Sequence, residues 1–70
     1  MINRNEILEI IKEELYEEMT LDSKLEDYLD SIETSELIMI IEDKYKINIP
    51  DDIEVSGSML LDEFLNKVEK

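Results

Sequence analysis

The chain has 70 residues, 43% of them apolar, and sets seven Lys and Arg against twenty Asp and Glu for a net charge of −13. It has no cysteine and no histidine. That excludes disulfides, the usual zinc sites, and Cys–His or Ser–His–Asp nucleophile arrangements, and no metal centre is expected. Such a surface repels nucleic acid and anionic membranes and favours basic protein partners.

The opening residues, Met1 to Glu6, lack the apolar stretch of a secretory signal. A first helix is expected from about Asn3, with Glu6 three residues on as in a capping box. Ile7, Leu8, Ile11 and Leu15 then share one face, which Ile10 widens, while Glu9, Lys12, Glu13 and Glu17 point outward. Between Glu18 and Asp30 the periodicity fails. This segment reads as a structured connection held to the core by Leu21, Leu25, Tyr28 and Leu29, with a short helical turn around Leu25 to Tyr28.

A second long helix is expected from Ser31 to about Lys46, with Thr34, Leu37, Ile38, Ile41 and Tyr45 on one face. Asn48-Ile49-Pro50 ends it, because the residue before a proline is pushed out of helical geometry. Asp51 to Val55 reads as one further short turn of helix, and Ser56-Gly57-Ser58 breaks the chain again. The last helix runs from about Met59 to Val68, with Ser58 as N-cap and Leu61, Phe64, Leu65 and Val68 on one face. The result is a single all-α domain over residues 1–70, a small bundle of three long helices and one short one. No run approaches the roughly 20 apolar residues of a membrane span, and the chain is expected to be cytoplasmic.

The informative stretch is Asp30-Ser31-Ile32-Glu33-Thr34-Ser35-Glu36-Leu37-Ile38-Met39. Taken alone, its start is a helix cap, with Asp30 as N-cap and Glu33 completing a capping box. The longer run resembles the acyl carrier protein family, in which Asp-Ser-Leu opens the second helix and an acidic, Thr-rich, Glu-Leu sequence follows. Asp30, Ser31, Ile32, Glu33, Thr34, Glu36, Leu37 and Met39 carry the match. Ile41-Glu42-Asp43, Tyr45 and Ile49-Pro50-Asp51 continue it at the family's spacing.

The resemblance implies a four-helix acyl-carrier-like fold that is not itself an enzyme. It implies that Ser31 accepts covalent 4′-phosphopantetheine from coenzyme A through a phosphopantetheinyl transferase, with Asp30 in support. The arm's thiol would then hold an acyl or aminoacyl group as a thioester. A loading ligase and downstream acyl-transfer enzymes, each with a basic docking patch, would be the further partners. Glu33, Glu36, Glu42 and Asp43 are the candidate charged contacts for them, and Ile32 and Met39 the apolar ones. A merely solvated face is the competing explanation of those charges. Carriers of this kind work as monomers.

Fatty-acid carriers usually show Gly-x-Asp-Ser, where this chain reads Tyr28-Leu29-Asp30-Ser31. That form looks more like D-alanyl carriers and the stand-alone carriers of specialised pathways, so fatty-acid, D-alanyl and specialised cargoes all stay open. An unmodified interaction module with a carrier-like fold is the alternative function. Two other readings, a nucleic-acid mimic and a calcium protein, rest on charge alone, and no segment matches the D-x-[DN]-x-[DN]-G loop.

Excess negative charge destabilises the compact state by self-repulsion, and salt screens it. The melting midpoint should therefore rise with added salt or divalent cations. Thermal melts at low and high ionic strength check this, and an unchanged midpoint would contradict it.

Overall fold

The computed structural model describes residues 2–50 and 52–69. Four helices follow in chain order: α1 (Arg4–Glu14), α2 (Leu25–Tyr28), α3 (Ser31–Tyr45) and α4 (Leu61–Val68). There is no strand among the described residues, only one antiparallel bridge between Lys24 and Leu60. No helix is long and apolar enough to cross a membrane.

The helical stripes expected from spacing form the core. Ile7 and Ile11 of α1, Leu37 and Ile41 of α3, and Leu61, Phe64, Leu65 and Val68 of α4 are all buried, and Leu25 of α2 joins them. Three apolar residues outside the periodic runs are buried too: Ile2, Met19 and Ile49. Met19 does for the long connection what Tyr28 was expected to do. Tyr28 itself is exposed, while Leu25 and Leu29 are buried and Leu21 half-buried.

The start of α1 departs from a simple capping box. Asn3 Oδ1 accepts the Glu6 N–H at 3.1 Å, as expected of an N-cap. The reciprocal half is missing because the Tyr45 hydroxyl lies in between. It donates to Glu6 Oε1 at 2.5 Å and accepts the Asn3 N–H at 3.3 Å. Burial, and then the neighbouring Glu6 carboxylate, push the Tyr45 pKa up. One tyrosine thus joins the end of α3 to the start of α1.

Two expectations between α3 and α4 need correction. The turn of helix over Asp51 to Val55 does not form. Asp51 lies outside the described residues, and Ile53 to Ser56 are irregular, with a lone Ile53 N–H to Pro50 O bond of 3.2 Å. The side chains explain it. Ile53 and Val55 are both half-buried, and residues two apart share a side only in extended chain. The other correction concerns α4, which starts at Leu61 with Leu60 as N-cap. Ser58 pairs its hydroxyl with that of Ser56 at 2.9 Å instead of capping. Met59 and Leu60 are drawn out of the helix by pairing with the α1–α2 connection. Leu25 N–H donates to Met59 O at 3.0 Å, and Leu61 N–H to Ser23 O at 2.9 Å. The Leu60 N–H is satisfied by Glu63 Oε1 at 3.1 Å.

Arg4, the only arginine of the chain, clips α1 to α4. Its guanidinium reaches Asp62 at 3.3 Å, Asn66 Oδ1 at 2.6 Å and Glu69 at 2.6 Å. These partners sit four and three residues apart, along one face of α4. Glu69 also accepts the Ile2 N–H at 3.3 Å. The hydrogen bond from Arg4 holds the Glu69 carboxyl below the usual carboxylate range, and the Ile2 N–H adds to it. A depressed carboxyl pKa contributes stability above the unfolded value and loses it as pH falls through the folded one. The stability difference between the parent and Arg4→Ala should therefore be largest at neutral pH. It should narrow as the pH drops below about 4. Denaturant melts of both proteins across that range check this, and a constant difference would exclude the ion pair as its source.

Candidate functional site

The polypeptide enters α3 through Asp30, which is extended (φ −86, ψ −176). Asp30 Oδ1 accepts the Glu33 N–H at 2.8 Å, and Glu33 Oε1 accepts the Asp30 N–H at 3.2 Å. This is the capping box read from the sequence. The Asp30 carbonyl is engaged as well, accepting both the N–H and the hydroxyl of Thr34 at 2.9 Å. Asp30 therefore fixes the helix start with three separate groups.

Ser31 follows as the first helical residue, and its side chain is exposed. At that position the backbone N–H groups have no intrahelical acceptor, and the positive end of the helix dipole faces outward. The serine hydroxyl thus stands where a phosphate would be favoured.

Beside Ser31 a cleft of about 650 Å³ opens between α2, α3 and the chain from Pro50 to Gly57. Leu25, Leu29, Ile38, Ile53 and Val55 give it apolar walls, and Thr34 and Ser35 line it with Ser31 along α3. The irregular, non-helical course of residues 53–56 goes with Ile53 and Val55 both lining this space. The far rim depends on a close approach, because a Cβ on Gly57 would come within 2.8 Å of Glu26 Oε1. There the Glu26 N–H donates to Gly57 O at 2.9 Å. A side chain at Gly57 would make the Glu26 side chain shift for α2 and this rim to meet so closely.

The six surface candidates divide into two groups. Ile32, Glu36, Met39 and Asp43 form an exposed stripe down α3, spaced by four, three and four residues. Ile32 is 68% exposed and Met39 62%, high values for side chains of that kind. Glu33 and Glu42 are half-buried and already engaged. Glu33 completes the cap. Glu42 turns the chain at the other end of α3. Its carbonyl accepts the N–H groups of Lys46 and, at 3.2 Å, Ile47, and its carboxylate accepts the Ile49 N–H at 2.8 Å. Lys46 takes a left-handed conformation (φ 54) to make that turn.

Sequence reasoning found Asp30 and Ser31 but not the cleft's other features. Ile53 and Val55 were hidden by the helical reading of their segment. Ser35 had a usable signal, since it lies one turn from Ser31. Among the described residues no group of His, Cys, Asp and Glu could hold a metal ion.

The model of the phosphopantetheine attachment site family matches residues 5–62, most of the chain, with Ser31 inside the match. The chain belongs to that family. Its members bear covalently attached 4′-phosphopantetheine and act as carriers rather than enzymes, so this chain is a phosphopantetheine carrier in the general sense. No curated protein and no solved structure matched it.

Asp30→Ala removes the side-chain half of the α3 cap and should cost about 0.5–2 kcal/mol. In a domain of this size that lowers the melting midpoint by about 4–8 °C per kcal/mol. Calorimetry of the unmodified protein checks it, and an unchanged midpoint would remove the capping role.

Proposed function

We propose that Ser31 is the attachment residue, and that the protein holds an acyl or aminoacyl group as a thioester on the arm and delivers it to partner enzymes. The observation that carries this reading is the placement of Ser31. It is an exposed hydroxyl in the first turn of a capped 15-residue helix, at the edge of the cleft. When bound, the arm supplies the thiol that the chain, having no cysteine, lacks.

The chain's own residues hold and present. Asp30 and Glu33 keep the helix start rigid, so the Ser31 backbone, and with it the direction of its Cα–Cβ bond, is fixed. The first-turn N–H groups of α3 favour the negative phosphodiester there. Asp30 is also well placed to help the transferase position its metal ion beside Ser31. Tethering then raises the concentration of the cargo at each partner far above its free level. The cleft's apolar walls can shelter a short acyl chain or the arm itself from water.

Delivery calls for a surface that enzymes recognise. In this reading, Ile32 and Met39 are the apolar contacts, and Glu36 and Asp43 the acidic ones beside them. Glu33 and Glu42 contribute charge to the same face while serving as caps. A partner with Lys and Arg around an apolar spot complements this stripe, and rim charges of this kind act mainly on association rate. The departure from Gly-x-Asp-Ser favours an aminoacyl or specialised cargo over bulk fatty-acid synthesis. A cytoplasmic, monomeric carrier fits the charge and size.

Incubation with coenzyme A and a promiscuous phosphopantetheinyl transferase, followed by intact-protein mass, tests the central claim. The parent should gain one phosphopantetheinyl group and Ser31→Ala none. No gain in the parent, with the enzyme active on a control carrier, would favour an unmodified interaction module. In the same assay Glu36→Lys should slow modification roughly threefold to tenfold at low salt and less at high salt. Equal rates would refute the docking role of that residue.

A further inference from the structure

Among the described residues, the cleft beside Ser31 is lined by five polar side chains, those of Glu26, Asp30, Ser31, Thr34 and Ser35. Two of them are carboxylates and repel a phosphodiester. Thr34 has already spent its hydroxyl hydrogen on the Asp30 carbonyl, at 2.9 Å. Ser35 is exposed, and its hydroxyl has no hydrogen-bond partner among the described residues. Among the described residues no Lys or Arg lines the cleft. Beyond the first-turn N–H groups of α3, Ser35 is thus the one uncommitted side-chain donor among the described lining residues for an anion on Ser31.

Its direction is right as well. In an α-helix each Cβ tilts toward the N-terminus, so a residue covers the turn before its own. Ser35 therefore leans back over the turn that bears Ser31, and both line the same cleft. The adjoining face of the helix, about 100° further round, offers the opposite chemistry, with exposed Ile32 and the Glu36 carboxylate.

Resting on the reading of Ser31 as attachment residue, we infer that Ser35 is a positioning residue for the arm. Its hydroxyl donates a hydrogen bond to a phosphodiester oxygen and turns the arm toward the cleft, away from the Ile32 and Met39 stripe.

The test uses the fully modified parent, Ser35→Ala and Ser35→Thr, the last of which retains a hydroxyl. The readouts are the phosphorus resonance of the phosphodiester and the nuclear relaxation of the arm. In Ser35→Ala the phosphorus resonance should shift and the docked population of the arm fall about threefold to tenfold. Ser35→Thr should restore both toward the parent. Because serine is a weaker helix former than alanine, Ser35→Ala should melt no lower than the parent, which separates the effect from a structural one. Identical phosphorus and relaxation data in the loaded parent and Ser35→Ala would overturn the assignment. A parent that takes up no arm would instead fail the Ser31 reading on which it rests.

Discussion

The hydrogen bond from a backbone N–H to a carboxylate is the interaction on which this fold depends. With twenty acids against seven bases, the chain cannot neutralise its charge by pairing, and among the described residues only Arg4 makes a short ion-pair network. Several acids instead accept N–H groups that helix ends and turns leave without partners. Asp30 and Glu33 do so at the start of α3, Glu42 at its end, and Glu63 ahead of α4. Charge-assisted bonds of this kind are stronger than neutral ones. They let a chain with a core too small to be generous hold three helix termini in defined places.

The same economy shapes the site. The start of α3 is rigid because three groups of Asp30 and the carboxylate of Glu33 are engaged there, which leaves the neighbouring Ser31 hydroxyl exposed and free. The cleft beside it is bounded by residues 53–56, which stay out of helix, and by the close approach of Gly57 to Glu26 of α2. Rigidity on one side and an irregular wall on the other suit the role proposed for Ser31, to hold a long flexible group without trapping it.

Much of this was legible in the sequence, for reasons that can be named. The stripes Ile7–Ile11 and Leu61–Phe64–Leu65–Val68 have a spacing that only a helix satisfies with one buried face, and both are buried as read. Asp30 and Glu33 announce a cap because capping geometry is local. What failed was set by partners distant in the chain. Ser58 lost its cap role because Met59 and Leu60 pair with residues 23 to 25. Glu6 gave up its half of a capping box to Tyr45, 39 residues away. Glu42 reads as a surface acid until the chain returns and presents the Ile49 N–H. Local rules see none of these, since each depends on where the backbone goes next.

Arg4 and Glu69 bring the two described ends of the chain together, with the Ile2 N–H on the Glu69 carboxylate. A domain whose ends meet hangs from one corner. Joined to flanking sequence on both sides, it would pivot about that corner like a pendant, rather than being stretched between two anchors, and its orientation would be set by whichever enzyme it met. Tension on either strand would fall first on the Arg4 clip, so the helices beyond it would be spared until that clasp opened.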